Sequence, residues 1–140
     1  MKRLITICEE IVADPQLRPR KVGEIITTYC NVAVRRIAVE MGYTGFASSM
    51  TANDMIAHMR QHWLRTTAED ARTQACAGKL AIAAQTGTQH GHVAVIYPDV
   101  MGYSESWKKL VPMIANVGKT NGILRTSQAF MTEPDYYVLA

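Results

Sequence analysis

The spacing of apolar residues changes period near Gly78, and this change constrains the fold more than any other feature. Up to that point apolar side chains recur at intervals of three and four. Residues 3–13 place Leu4, Ile7, Cys8, Ile11 and Val12 on one helical face, and Asp14-Pro15 ends the run. Residues 30–41 repeat the pattern with Ala33, Val34, Ile37, Ala38 and Met41, followed by Gly42 as a stop residue. Thr51 and Asp54 have the spacing of a capping box. The helix they open carries Ala52, Met55, Ile56, Met59 and Trp63 on its inner face. A further helix starts near Thr67, with Glu69 and Asp70 where the dipole favours acids, and ends at Gly78.

Beyond Gly78 the apolar runs are short and bounded by turn residues, as strands require. Leu80 to Ala84 is one, and Gly91 to Tyr97 is another, ended by Pro98-Asp99. Residues 127–131 and 136–139 read as further strands, with turn residues between Asn116 and Gly122. Residues 18–23 read as a loop, and residues 22–27 as a short approach to the second helix. Helices followed by strands predict an α+β fold, with N-terminal helices packed on a C-terminal antiparallel sheet. A chain of 140 residues, 48% hydrophobic and without an internal repeat or linker, suits a single domain spanning residues 1–140.

Charge narrows the partners. The net charge of +3 is mildly basic, but no Lys/Arg stripe is interleaved with aromatics, and Arg18-Pro19-Arg20-Lys21 is too short a cluster for nucleic-acid binding. No apolar stretch approaches the ~20 residues of a membrane helix. After Lys2-Arg3 the apolar run ends at Glu9-Glu10, shorter than a signal peptide needs. The expectation is a soluble protein made in the cytoplasm, with neither nucleic acid nor membrane as partner. Cys8, Cys30 and Cys76 cannot all pair and show no CxxC spacing, which leaves a Cys8–Cys76 bridge open and Cys30 as the free thiol to examine.

Cys30 falls at the predicted start of its helix, where unpaired N–H groups and the dipole stabilise a thiolate and can hold an oxyanion. His92 opens a strand directly after Gly91, which allows close approach of another backbone or a substrate. A nucleophile on a helix start and a base 62 residues later on a strand form a candidate catalytic pair. The imidazole needs an orienting partner, and Asn116, Asp99 and a backbone carbonyl are all open.

The rival signals are weaker. His58 and His62 have the i, i+4 spacing of a helical zinc pair, but Met59 stands where the metalloprotease glutamate would be, so they read as surface histidines. Gly87-Thr88-Gln89-His90-Gly91 lacks the GK[ST] of a phosphate loop. Met41, Met50, Met55, Met59 and Met101 read as core or edge filler. Trp107 beside Lys108-Lys109 suits either a sugar platform or a cover for the core.

Tyr29-Cys30-Asn31-Val32-Ala33-Val34, the helix ending at Met41-Gly42, and Gly91-His92-Val93-Ala94-Val95-Ile96 resemble the core of the NlpC/P60 cell-wall peptidases. Among these the chain is most similar to the small amidase effectors of type VI secretion systems. The likeness continues through Ala52-Asn53-Asp54-Met55, Ala77-Gly78-Lys79-Leu80, Val117-Gly118 with Gly122, and Tyr136-Tyr137-Val138, covering about residues 28 to 139. It implies a papain-like core in which Cys30 is the nucleophile and His92 the base. The implied reaction is hydrolysis of a peptidoglycan amide, γ-D-glutamyl to diaminopimelate, with no metal or organic cofactor. Many members carry Asp-Cys-Ser-Gly around the nucleophile, whereas this chain has Tyr29-Cys30-Asn31-Val32, so the residues expected to line the substrate groove differ.

Such an enzyme would act in the periplasm or on the cell wall after delivery as a secreted toxin, with a cognate immunity protein, or as a phage lysis protein. A non-catalytic cell-wall binding module and a cysteine transferase or deamidase on the same core are the alternatives. The pairing predicts a Cys30 pKa below the free-thiol value of ~8.5.

Overall fold

The computed structural model describes residues 2–139. Helix ends follow the local chemistry closely. Helix α1 (Leu4–Val12) stops before a 3-10 turn at Pro15–Leu17, and helix α2 spans Cys30–Glu40. Gly42 adopts φ +91°, and the N–H groups of Gly42 and Tyr43 donate to the carbonyls of Val39 and Ala38. This pair of bonds is a Schellman stop, and the left-handed φ is one that glycine adopts without strain. The same arrangement ends α4 (Ala68–Cys76), where Gly78 has φ +83° and Lys79 N–H donates to Gln74. Helix α3 (Ala52–His62) opens with the capping box of Thr51 and Asp54, whose two bonds are 3.1 and 3.0 Å long.

The strands are β3 (Leu64–Thr66), β4 (Ala81–Gln85), β5 (His92–Ile96), β8 (Met113–Asn116), β9 (Gly122–Arg125) and β10 (Asp135–Val138). They form one sheet of order β3-β10-β4-β5-β8-β9, antiparallel at every pairing. Two separate hairpins complete the fold: β1 (Arg20–Val22) with β2 (Ile25–Thr27), and β6 (Gly102–Ser104) with β7 (Lys109–Val111). All four helices pack against the six-stranded sheet. The α+β class therefore holds, with strands β1 to β3 interleaved among the helices.

Strands β4 and β5 lie at the sheet centre, and Ala81–Ala84 and Val93–Ile96 are all buried. The small side chains of β4 let the helices approach closely there. Leu4, Ile7, Cys8, Ile37, Met55, Ile56 and Met59 join them in one core cluster. No helix among the described residues is long and apolar enough to cross a membrane.

Several expectations are corrected. Residues 18–27 are a hairpin rather than loop and approach segment, with a turn at Gly23 in positive φ. Residues 127–131 do not form a strand. Thr126 there donates through both its N–H and its hydroxyl to the Pro112 carbonyl, and Thr126–Gln128 close into a 3-10 turn. Strands β3, β6, β7 and β9 were not anticipated. Each is three or four residues long, too short for a sequence period to register. All three cysteines are free thiols, with Cys8 buried and Cys76 exposed. Met55 and Met59 are buried and Met41, Met50 and Met101 pack at the core edge, as expected of filler.

Candidate active site

Cys30 is the first residue of α2. The first main-chain bond of the helix runs from Ala33 N–H to Tyr29 O, so the preceding N–H groups have no acceptor within the helix. Backbone N–H groups of Val93, Asn31 and Cys30 itself act to lower the thiol pKa. Val93 follows His92 on β5, so the helix start that carries Cys30 lies against the strand that begins at His92. Strand β5 pairs with β8 only at Val95–Ala115 and Ile96–Ile114, and its beginning borders α2.

His92 Nε2 lies 2.7 Å from Asn116 Oδ1. The orientation of that amide is set by its other end, since Nδ2 donates to the Thr120 carbonyl at 2.7 Å. An amide with its NH2 so engaged presents its oxygen to the imidazole. Nε2 must therefore carry the hydrogen, and the neutral ring keeps its unprotonated lone pair on Nδ1. Phe130 packs on the ring with centroids 4.9 Å apart. Gly118 closes the remaining side, where an added Cβ would sit 3.2 Å from Cε1.

The loop after Asn116 is itself tied down. Gly118 N–H donates to Asn121 Oδ1, and Asn121 Nδ2 donates to the Leu17 carbonyl at 2.8 Å. On the other flank, Asn53 on α3 exchanges two hydrogen bonds with Gly87, and its side chain occupies the space a Cβ on Gly91 would need. Gly91 thus serves close approach, of the Asn53 side chain first and of the Gln85 backbone carbonyl as well.

Burial is the strongest influence on both titrating groups. It pushes the Cys30 thiol up from its ordinary value, against the lowering effect of the backbone N–H groups. It pulls His92 down, against the raising effect of the Asn116 bond. The expected depressed thiol pKa is thereby reversed: a thiol 6% exposed loses more from desolvation than three amides return. Both shifts favour the neutral forms, thiol and imidazole.

A cavity of about 450 Å³ opens on His92 and Asn116, walled also by Ile26, Thr28, Gly118 and Lys119. Cys30 does not line it. A larger cavity of about 570 Å³ lies between the start of α1 and the end of α4, remote from this pair. The smaller one borders the site, because it alone of the two reaches the imidazole. Asn31 does not line it either, since its amide donates to the Met50 carbonyl at 3.0 Å.

The other candidates separate from the site. Asp99 lies beyond the opposite end of β5, its carboxylate accepting from Val100 N–H. His58 is half-buried rather than on the surface, its Nε2 2.5 Å from the Tyr43 hydroxyl, which also accepts from Trp63 Nε1. Trp107 is partly buried against the core in the β6–β7 turn. Phe130 and Gly118 carry no local signature of proximity to His92. Only the fold brings them there.

No protein-family profile and no curated protein matches this sequence.

Proposed function

We propose that this chain is a cysteine amidase on a papain-like core of the NlpC/P60 kind, cutting an amide bond in peptidoglycan peptides. The observation that carries the proposal is the bond of His92 to Asn116, which leaves Nδ1 free as a base on the strand that borders the helix start carrying Cys30. Resemblance supplies the substrate, the γ-D-glutamyl to diaminopimelate bond.

Because burial favours the neutral forms, proton transfer accompanies attack. His92 Nδ1 takes the Cys30 proton as the sulfur adds to the substrate carbonyl carbon. The amide N–H groups at the start of α2 hold the developing oxyanion. The imidazolium, steadied by Asn116, then protonates the leaving amine, and a thioester remains on Cys30. Water, deprotonated by His92, attacks the thioester, and the proton returns to the departing sulfur. The chemistry calls for no metal or organic cofactor. Binding must also open a path to the sulfur, since Cys30 is only 6% exposed.

Delivery across a membrane as a toxin, countered by an immunity protein, or release as a phage lysis protein would bring the enzyme to the wall. Purified sacculi test the proposal. New amine termini should appear with the wild type and vanish with Cys30→Ala. Silence of the wild type on sacculi of several peptide chemistries would overturn it.

A further inference from the structure

The β1–β2 hairpin is exposed along its whole length. It pairs with no other strand, and every residue from Arg20 to Thr27 is open to solvent. Val22 and Ile25 are directly opposed in the ladder with only Gly23 and Glu24 between them, so they stand at the tip, beside a two-residue turn. They are 77% and 71% exposed, more than any other valine, leucine or isoleucine among the described residues. Side chains alternate along each strand and opposed residues share a face, so Arg20 and Thr27 lie with Val22 and Ile25. Ile26 lies on the other face and lines the cavity beside His92. Arg18, Arg20 and Lys21 form no ion pair among the described residues, and Glu24 is the only acid in residues 18–27.

Exposed aliphatic side chains beside uncompensated cations match the boundary between headgroups and acyl chains of an anionic bilayer. We infer that this hairpin seats the protein on such a surface, with Val22 and Ile25 entering the boundary and Arg18, Arg20 and Lys21 meeting the headgroups. Two other partners fit less well. The hairpin has no aromatic side chain to stack on the bases of a nucleic acid. Residues 18–27 are also fewer than the roughly 20–30 residues per side of a stable protein interface. The expectation of no membrane partner rested on the lack of a spanning segment, which a surface seat does not require. Since Ile26 is on the reverse face, the seated hairpin holds the cavity beside His92 close to the bilayer. The inference is independent of the amidase proposal.

Co-sedimentation of the full chain with large vesicles tests the seat. Vesicles of equimolar phosphatidylglycerol and phosphatidylcholine should carry the protein down at low salt, and pure phosphatidylcholine should carry at least about tenfold less. Raising the salt to about 0.5 M should release most of the bound protein. Arg20→Gln should weaken partition about fivefold, and Val22→Asn or Ile25→Asn about tenfold. These side chains are exposed, so thermal midpoints should stay unchanged. Leu110→Asn, on the other hairpin and 57% exposed, should leave binding as it is. No binding to anionic vesicles, equal binding to neutral ones, or losses no greater for the β1–β2 variants than for Leu110→Asn would each overturn the inference. Retention on a DNA duplex with none on the vesicles would reassign the cations and overturn it as well. Vesicle binding that depends on the hairpin, in a protein that leaves sacculi uncut, would instead sink the amidase and keep the seat.

Discussion

Asn116 Oδ1 accepts the Nε2 hydrogen of His92 across 2.7 Å, while the same amide donates to Thr120 at its other end. One asparagine thereby decides both the tautomer and the tilt of the imidazole. Its bond strengthens whenever the ring becomes an imidazolium, so Asn116 favours the protonated state that the proposed mechanism passes through.

Replacing Asn116 by Ala should lower kcat about 10- to 100-fold, the range expected for a hydrogen bond to a charged group. The pH profile should move as well. Burial already holds the His92 pKa below its ordinary value, and the Asn116 bond partly restores it. Removing the bond lowers the pKa further, so the acid limb of kcat/KM should shift to lower pH. A limb that stays put or moves upward would refute this role.

Gly118 tests how tightly the ring is held. A methyl group there would meet Cε1 of a ring already confined by Asn116 and Phe130. Gly118→Ala should cost about tenfold in kcat, because a small misplacement of a catalytic group is expensive. Its thermal midpoint should barely change. A parallel loss of stability and activity would show that the crowding is merely structural.

Cys8 should govern alkaline stability. It is fully buried, and burial followed by the Glu9 charge pushes its pKa up to about 12. The unfolded thiol releases its proton near its ordinary value, while the folded one retains it. Stability is then complete below about pH 9 and falls as pH rises from there. Denaturant titrations at pH 8 and pH 10 should show that Cys8→Ala removes about 1 kcal/mol of the wild-type fall. An unchanged difference would locate the alkaline loss elsewhere, with Cys30 the next candidate.

Thr51→Ala removes one half of the α3 capping box and should cost about 0.5–2 kcal/mol in denaturant unfolding. Activity at moderate temperature should survive, since the cap bonds run only between Thr51 and Asp54. Loss of activity in a folded variant would mean that α3 positions the Gly87–Gly91 loop more stringently than its hydrogen bonds to Asn53 suggest.

Elements whose cause is local were legible in the sequence. The Gly42 and Gly78 stops, the Thr51 cap and the apolar faces of α1 to α3 depend on residues within one or two turns of each other. Cys30 at the start of α2 and His92 at the start of β5 follow from the same signals. The 3-10 turn at Thr126 was not legible, because its deciding acceptor is Pro112, fourteen residues away.

The sequence by itself therefore determined the helix boundaries, the α+β class and two candidate side chains at element starts, all consequences of short-range backbone chemistry. Only the tertiary structure decided that Asn116, rather than Asp99, reaches the imidazole. That choice depends on β8 lying beside β5, a relationship between segments more than twenty residues apart. Tertiary packing also decided the ionisation of the site. A helix start lowers a thiol pKa wherever it occurs, but how much water the fold leaves at Cys30 is a property of every element packed around it, and here desolvation prevails.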